Sequence, residues 1–265
     1  MLVTNTFGTM DAVYSAQKAQ VGINKSINRL ATGIRTKFGA DPAGQSIADR
    51  LTDSAKSYAR AARNIEDGLS FAQTAESALM EIGALAQRLF EIGIQAANGD
   101  LHSDSDKNAL NTEASALAQT INLVATTTKF NGRLVLNADN YNKHINIPVN
   151  EAGSSHTITS SKLNTTEAAT LTTASVADEF ATTLLSKVAE ALGNIGASMS
   201  ALKGAQAVAF TTEGNLTAAA SRIQDTDFAF ESAELTRNKI LNQSSLAMIA
   251  QANQAQSTVL SLFQI

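Results

Sequence analysis

The chain has no cysteine and no tryptophan, and its 265 residues include only two prolines, three histidines and three tyrosines. Without cysteine there is no disulfide, no zinc–thiolate centre, no iron–sulfur cluster and no thiol nucleophile. His102, His144 and His156 are dispersed along the chain, which argues against a histidine-built metal cage. Aromatics are 5% of residues, too few for the stacking platforms that hold single-stranded nucleic acid. Charge agrees with this: 20 Lys and Arg stand against 24 Asp and Glu, a net charge of −4, so no basic excess awaits a phosphate backbone. The start, Met1 to Thr9, has no basic segment followed by an apolar one, so no cleaved export signal is expected. Such a chain is ordinarily cytoplasmic, unless an export route that uses no cleaved signal carries it. No run approaches the ~18–20 apolar residues of a membrane-crossing helix. No glycine-rich phosphate loop, no ordered Ser, His and Asp, and no paired carboxylates stand out, so neither an enzyme nor a cofactor site is expected.

What the chain has is alanine and a helical rhythm. Hydrophobic residues are 44% of it, and with proline confined to Pro42 and Pro148 long helices run uninterrupted. Val13, Ala16, Gln20, Ile23, Ile27, Leu30 and Ile34 alternate steps of three and four, a heptad stripe that Gly33 terminates. Asp41-Pro42 reads as an N-cap with proline at the first helical position. From there a second helix is expected to about Ala97, with its stripe on Leu51, Ala55, Tyr58, Ala62, Ile65, Leu69, Ala72, Ala75, Leu79, Ile82, Ala86, Leu89, Gly93 and Ala96. At ~1.5 Å per residue such a rod is roughly 75 Å long. Ser103 to Asp106 offers caps for a shorter third helix ending before Asn131-Gly132. Ile145, Ile147 and Val149 alternate with polar residues, and Thr157-Ile158-Thr159 follows a turn at Gly153, the pattern of a small β-hairpin. Residues 160–175 are Ser/Thr-rich and read as loop. From about Val176 a second rod runs through Ala181, Leu184, Val188, Ala191, Ile195, Ser198, Leu202, Ala205, Ala209 and on to Ile223. Its length matches the first, so the two are expected side by side.

The last stripe is Leu241, Ser245, Met248, Ala252, Ala255, Val259 and Leu262. After Lys239 the chain has no charged side chain, and Asn242, Gln251, Asn253, Gln254 and Gln256 lie opposite the stripe. A solvated helix normally carries charge and a membrane helix does not carry so many amides. A heptad stripe buries nothing on a lone helix, so the terminal stripes must meet a partner. They either pack inside one chain or order themselves in an assembly. The missing charge favours assembly, because closely packed copies would not repeat like charges.

Smaller motifs reduce to structure. Asp104 and Asp106 have the spacing of a calcium loop without its glycine and distal glutamate, so helix capping is expected. His144 and His156 could face each other across the hairpin, but two histidines without a nearby carboxylate are expected to be surface residues. Asn24-Lys25-Ser26 and Asn164-Thr165-Thr166 are glycosylation triplets of a kind common by chance, and the 154–175 loop is the better candidate for O-linked sugar.

Several blocks together resemble bacterial flagellin. They are Ile27–Gly33 (INRLATG), Asp41–Ala48 (DPAGQSIA), Arg63–Gly68 (RNIEDG), Ala72–Glu76 (AQTAE) and Lys129–Gly132 (KFNG) in the first half. In the second half they are Ser221–Ala229 (SRIQDTDFA), Ala250–Gln254 (AQANQ) and Val259–Leu262 (VLSL). The resemblance covers both terminal thirds in the same order and spacing. It implies a mainly α, coiled-coil-like bundle with a small β-hairpin region and coaxially paired terminal helices. The implied organisation is residues 1–34 and 226–265 as the two halves of an inner helical domain, 35–45 as connector, and 46–225 as an outer bundle with its hairpin at about 133–163. The implied function is a subunit that polymerises with itself into the flagellar filament, extracellular, for motility. The implied assembly residues are Val13, Ile23, Ile27, Leu30, Leu241, Met248, Ala252, Val259 and Leu262. Further implied partners are the flagellar export apparatus, a secretion chaperone, and the hook-associated and cap proteins. An animal innate immune receptor is a further one, at Arg88, Leu89, Glu91 and Glu113. The variable outer domain common in this family is here reduced to about residues 133–175. The alternatives are the hook–filament junction protein, which shares the terminal pattern, and a membrane-active amphipathic helical protein. The second lacks the Lys and Arg its polar face would need.

Overall fold

The computed structural model describes residues 2–37, 39–98, 100, 102–136, 143–150, 153–160, 163 and 173–263, with the side chains of 2–8, 143, 160 and 259–263 outside the description. Among the described residues the protein is mainly α. The helices are α1 (Leu2–Thr32), α2 (Pro42–Ala97), α3 (Asp104–Thr127), α4 (Ala177–Gln224) and α5 (Phe228–Phe263). Two antiparallel strand pairs lie between α3 and α4: β1 (Lys129–Phe130) with β2 (Arg133–Leu134), and β3 (Lys143–Pro148) with β4 (Ser155–Ser160).

The helix ends fall where the capping chemistry puts them. Gly33 has φ +67° and its N–H donates to the Arg29 carbonyl (2.8 Å), the left-handed stop that closes α1. Asp41 caps α2, accepting from the Gly44 N–H at 2.9 Å, and Pro42 fills the first turn, where a missing N–H costs nothing. Ser103 and Asp106 form a reciprocal capping box on α3. The Ser103 hydroxyl meets the Asp106 carboxylate at 2.7 Å and the Ser103 N–H donates to it at 3.0 Å. Hydroxyl first and backbone N–H second, these bonds hold the Asp106 pKa below the usual carboxylate value. Of the acidic pair, Asp106 makes the capping bonds and Asp104 stands in the first turn, where a negative charge favours the helix N-terminus.

The chain divides into two compact units, residues 54–215 and residues 1–53 with 216–265. In the first, α2 and α4 run antiparallel, as the matched rods predict. Gly93 lies against Asp178, Gly83 against Val188, and the Gln206 amide donates to Glu66 (3.2 Å). At Gly93 a Cβ would stand 2.4 Å from the Asp178 backbone nitrogen, so only glycine fits. The core is the predicted stripes. Ile65, Leu79, Ile82, Leu89 and Ile92 of α2 meet Leu184, Val188, Ile195 and Leu202 of α4 and Leu110 and Ile121 of α3 in one buried cluster. Such side chains each contribute roughly 1.5–3 kcal/mol on burial.

The β3–β4 hairpin closes one side of this core. Ile145 pairs with Ile158, and Ile158 is fully buried. Ile147 packs against Gly68, where a Cβ would come within 2.9 Å of it. The two histidines do not meet: His144 lies opposite Thr159, and its Nδ1 is 3.2 Å from that hydroxyl, while His156 lies opposite Ile147. They sit at different ladder rungs and do not pair; His144 is exposed, as expected of a surface residue, and His156 is half-buried. The Asn131-Gly132 stop is itself a hairpin turn, with φ +48° and +76° in the two central positions and β1 and β2 on either side. This asparagine–glycine pair is the strongest short hairpin signal, and reading it only as a helix stop missed β1 and β2. Phe130 then stacks edge-on to Phe71, with ring centroids 6.1 Å apart. The Ser/Thr-rich segment 161–162 and 164–172 lies outside the described residues.

Candidate assembly interface

The other unit is built on α1 and α5, which lie against each other antiparallel. The face α1 turns to α5 is Ala12, Ala16, Ala19, Ile23 and Ser26, all buried. Ser245 and Glu231 are the buried residues of α5. The contact is close because its side chains are small. A Cβ on Gly22 would overlap the Asn238 side chain at 2.7 Å. The Asn242 amide donates to the Ala16 carbonyl at 3.0 Å. Arg29 Nη1 meets Glu231 Oε2 at 3.2 Å, with the Glu231 side chain 5% exposed. Beyond α1 the backbone is pinned locally. The Arg35 N–H donates to the Gln224 carbonyl (2.6 Å) and the Thr226 N–H to the Gly33 carbonyl (2.9 Å), around an Ile34–Asp225 bridge. Asp227 then caps α5 through the Ala229 and Phe230 N–H groups. This cap starts α5 well before the apolar pattern at Leu241.

The sequence-predicted stripes therefore divide. Of the α1 residues, Ile23 is in the seam and Leu30 is half-buried, whereas Val13 (42% exposed) and Ile27 (47%) face outward. Of the α5 residues, Leu241 and Met248 face outward and Ala252 is half-buried. The side chains of Val259 and Leu262 lie outside the described residues. The seam keeps Ala16 and Ile23 of the predicted stripe on α1 but takes Ala12, Ala19 and Ser26 in place of Val13, Gln20 and Ile27, and Asn242, expected on the opposite face, is in it. The physical reason is size. Alanine, serine and glycine let two backbones approach, and apart from Ile23 the larger apolar side chains Val13, Ile27, Leu30, Leu241 and Met248 are turned away or only half-buried. Met10, Tyr14, Val21, Ile240 and Leu246 join them as large exposed hydrophobics on the same two helices. A shallow apolar groove lies between Ala233, Thr236, Ile240 and Leu241. Outward apolar side chains are thus concentrated on these two helices, and the part of α5 after Lys239 carries no charged side chain.

Comparison with known proteins places the chain in a family. The description "Bacterial flagellin N-terminal helical region" matches residues 4–141, and "Bacterial flagellin C-terminal helical region" matches residues 178–263. The chain belongs to the bacterial flagellin family. A flagellin of Halalkalibacterium halodurans is 31% identical, with both chains covered in full. A flagellin of Xenorhabdus nematophila is 31% identical over 99% of this chain and all of that protein. The crystal structure of Bacillus cereus flagellin aligns with 61% of this chain and 93% of that chain, at 25% identity and a TM-score of 0.42. As a flagellin the chain is a structural subunit of the extracellular flagellar filament, serving motility, and it is not an enzyme.

The remaining predicted surface lies on the flagellin's other unit. Arg88 donates to Glu113 of α3 at 2.7 Å and to Glu91, one turn on, at 3.0 Å. The bond to Glu113 first and to Glu91 second raises the Arg88 pKa above its ordinary value, so the guanidinium stays charged. All three side chains are about half-exposed, and the cluster ties α2 to α3 across the surface. Leu89 does not join them. It is fully buried in the core and offers nothing to a partner. The sequence stripe already placed Leu89 on the buried face, so that signal excludes it.

Proposed function

We propose that the α1–α5 pair forms the inner layer of the filament and residues 54–215 the outer layer, with the outward apolar band as the contact between copies. The observation that carries this reading is the inversion of size on the pair, small residues inside and large apolar ones outside. Each Leu, Ile or Met covered by a neighbouring copy contributes roughly 1.5–3 kcal/mol, so a handful per subunit supports a stable polymer. On the same reading the exposed amides Gln243, Gln251, Asn253 and Gln254 of α5 line or approach the filament's central channel. Neutral polar groups there let chains of either charge pass.

Export through the flagellar secretion channel with a chaperone, and capture by the cap and hook-associated proteins, belong to the same proposal. A chain without cysteine suits that passage, because no premature disulfide forms on the way. Recognition by an animal innate immune receptor would use Arg88, Glu91 and Glu113 without Leu89.

The test is electron microscopy of purified chain concentrated with a salting-out salt, which strengthens apolar association. Hollow filaments of indefinite length are expected, and deletion of residues 240–265 abolishes them while the helicity of residues 54–215 persists. Short closed rings or persistent monomers of the intact chain would overturn the reading in favour of a hook–filament junction protein.

A further inference from the structure

The seam between α1 and α5 has an alignment problem that its apolar residues do not solve. Ala12, Ala16, Ala19, Ser26 and Ser245 are nearly interchangeable in shape, and the one larger buried side chain of α1, Ile23, is replaced by Ile27 in a four-residue slip. One helix sliding along the other by a turn replaces one small side chain by another, with little change in packing. Small residues thus permit several registers.

Polar contacts discriminate where the small ones do not. Arg29 pairs with Glu231, and one heptad further along both helices Gly22 faces Asn238. The next contact, Asn242 to the Ala16 carbonyl, follows in the same antiparallel register. A slip by one turn toward Gly33 would leave the Glu231 carboxylate buried without its cation, whereas the opposite slip offers it Lys25 and is opposed by the second contact alone. Either slip would drive the Asn238 amide into a residue that has a Cβ. A buried charge without a partner is far costlier than a misplaced alanine, and a single polar contact is known to specify register in paired helices.

We propose that Arg29 and Glu231, with Gly22–Asn238 as the steric key, set the register of the α1–α5 pair, and that polymerisation requires this register. They are positioning residues. Register matters to assembly because the outward band is shared between two helices. Val13, Tyr14 and Val21 on one keep a fixed alignment with Leu241, Leu246 and Met248 on the other only in one register. A subunit paired out of register presents a broken band to its neighbour. The inference rests on the assembly role proposed above, and its test separates the two.

The absence of natural cysteine makes register directly readable. A Gly22→Cys/Asn238→Cys full-length chain should form an intrachain disulfide under mild oxidation, seen as a faster-migrating band on a denaturing gel. In this background Arg29→Glu or Glu231→Arg alone should lower the cross-link yield about tenfold. In the cysteine-free chain each should slow filament elongation by at least as much. The exchanged pair, Arg29→Glu with Glu231→Arg, should restore both. Arg29→Lys keeps the charge and should polymerise at close to the parent rate, which guards against a reversed pair that fails to fold. Single reversals that cross-link and polymerise like the parent would overturn the proposal. So would loss of polymerisation in Arg29→Lys with the cross-link intact. If the Gly22→Cys/Asn238→Cys chain cross-links but the cysteine-free chain never forms filaments, the assembly reading fails and the register assignment stands.

Discussion

Two identical substitutions in the helical bundle should have opposite signs. Gly93 of α2 lies under the first turn of α4, and an added methyl would stand 2.4 Å from the Asp178 nitrogen and 2.9 Å from its Cα. Carbon atoms pack at about 3.5–4.0 Å, so the overlap exceeds 1 Å and falls on backbone, which no rotamer change relieves. Gly196 of α4 faces open space, with nothing within 4 Å of its added Cβ. At both sites alanine gains about 1 kcal/mol over glycine in helix propensity. At Gly196 nothing opposes that gain. At Gly93 overpacking costs about 3 kcal/mol, the upper end of the usual range, because the obstacle is main chain. The net is about 2 kcal/mol lost at Gly93 and about 1 gained at Gly196. At roughly 2–4 °C per kcal/mol, Gly93→Ala should lower Tm by about 4–8 °C and Gly196→Ala should raise it by about 2–4 °C. Calorimetry of the monomer, with urea unfolding as a check on cooperativity, reads both. If Gly93→Ala stabilises the chain as Gly196→Ala does, the close crossing of α2 and α4 is refuted, and with it the side-by-side arrangement of the rods.

Met248→Glu should leave the monomer Tm nearly unchanged, because the side chain is 62% exposed, yet stop filament growth in a sedimentation assay. Equal damage to both would place Met248 in the monomer's own packing. Leu89→Ala should destabilise the chain by about 2–5 kcal/mol in urea unfolding, as a buried leucine does, whereas Arg88→Ala should leave the midpoint close to unchanged. Acid should loosen α3 through Asp106. Its folded pKa lies below the ordinary value, so its stabilisation is fully present above about pH 4 and is lost as pH falls through the folded pKa. Ser103→Ala should remove that part of the acid sensitivity, followed as helicity or as amide exchange in the first turn of α3. An unchanged acid profile would contradict the capping box.

How much of this was legible in the sequence differs from element to element. The long rods were, because a stripe repeating every three or four residues over dozens of positions has one explanation. The buried side chains of α4 follow it closely, while on α2 Ala48, Ala61, Phe71, Ala78 and Ile92 are buried beside it, because that helix is covered from more than one side. The helix ends were legible too, since Asp41-Pro42, Ser103 with Asp106, and Gly33 act through their own backbone bonds. The pairing of β3 with β4 was readable from alternation, but not its rungs, so which residues face His144 and His156 was not. A ladder slip of a few residues leaves the alternation of polar and apolar positions almost intact.

At the terminal helices the residue pattern was enough to specify amphipathic helices, and an uncharged segment after Lys239. Which face meets which came from the packing of the folded chain. A hydrophobic stripe marks what must leave water, but it does not say whether its partner is the same chain or another copy. Here close approach selects alanine, glycine and serine for the inner contact and turns Val13, Ile27, Leu241 and Met248 outward. The contacts between Arg29 and Glu231, and between Gly22 and Asn238, join residues about 200 positions apart, which no local pattern brings together. Geometry between distant segments is what the fold adds.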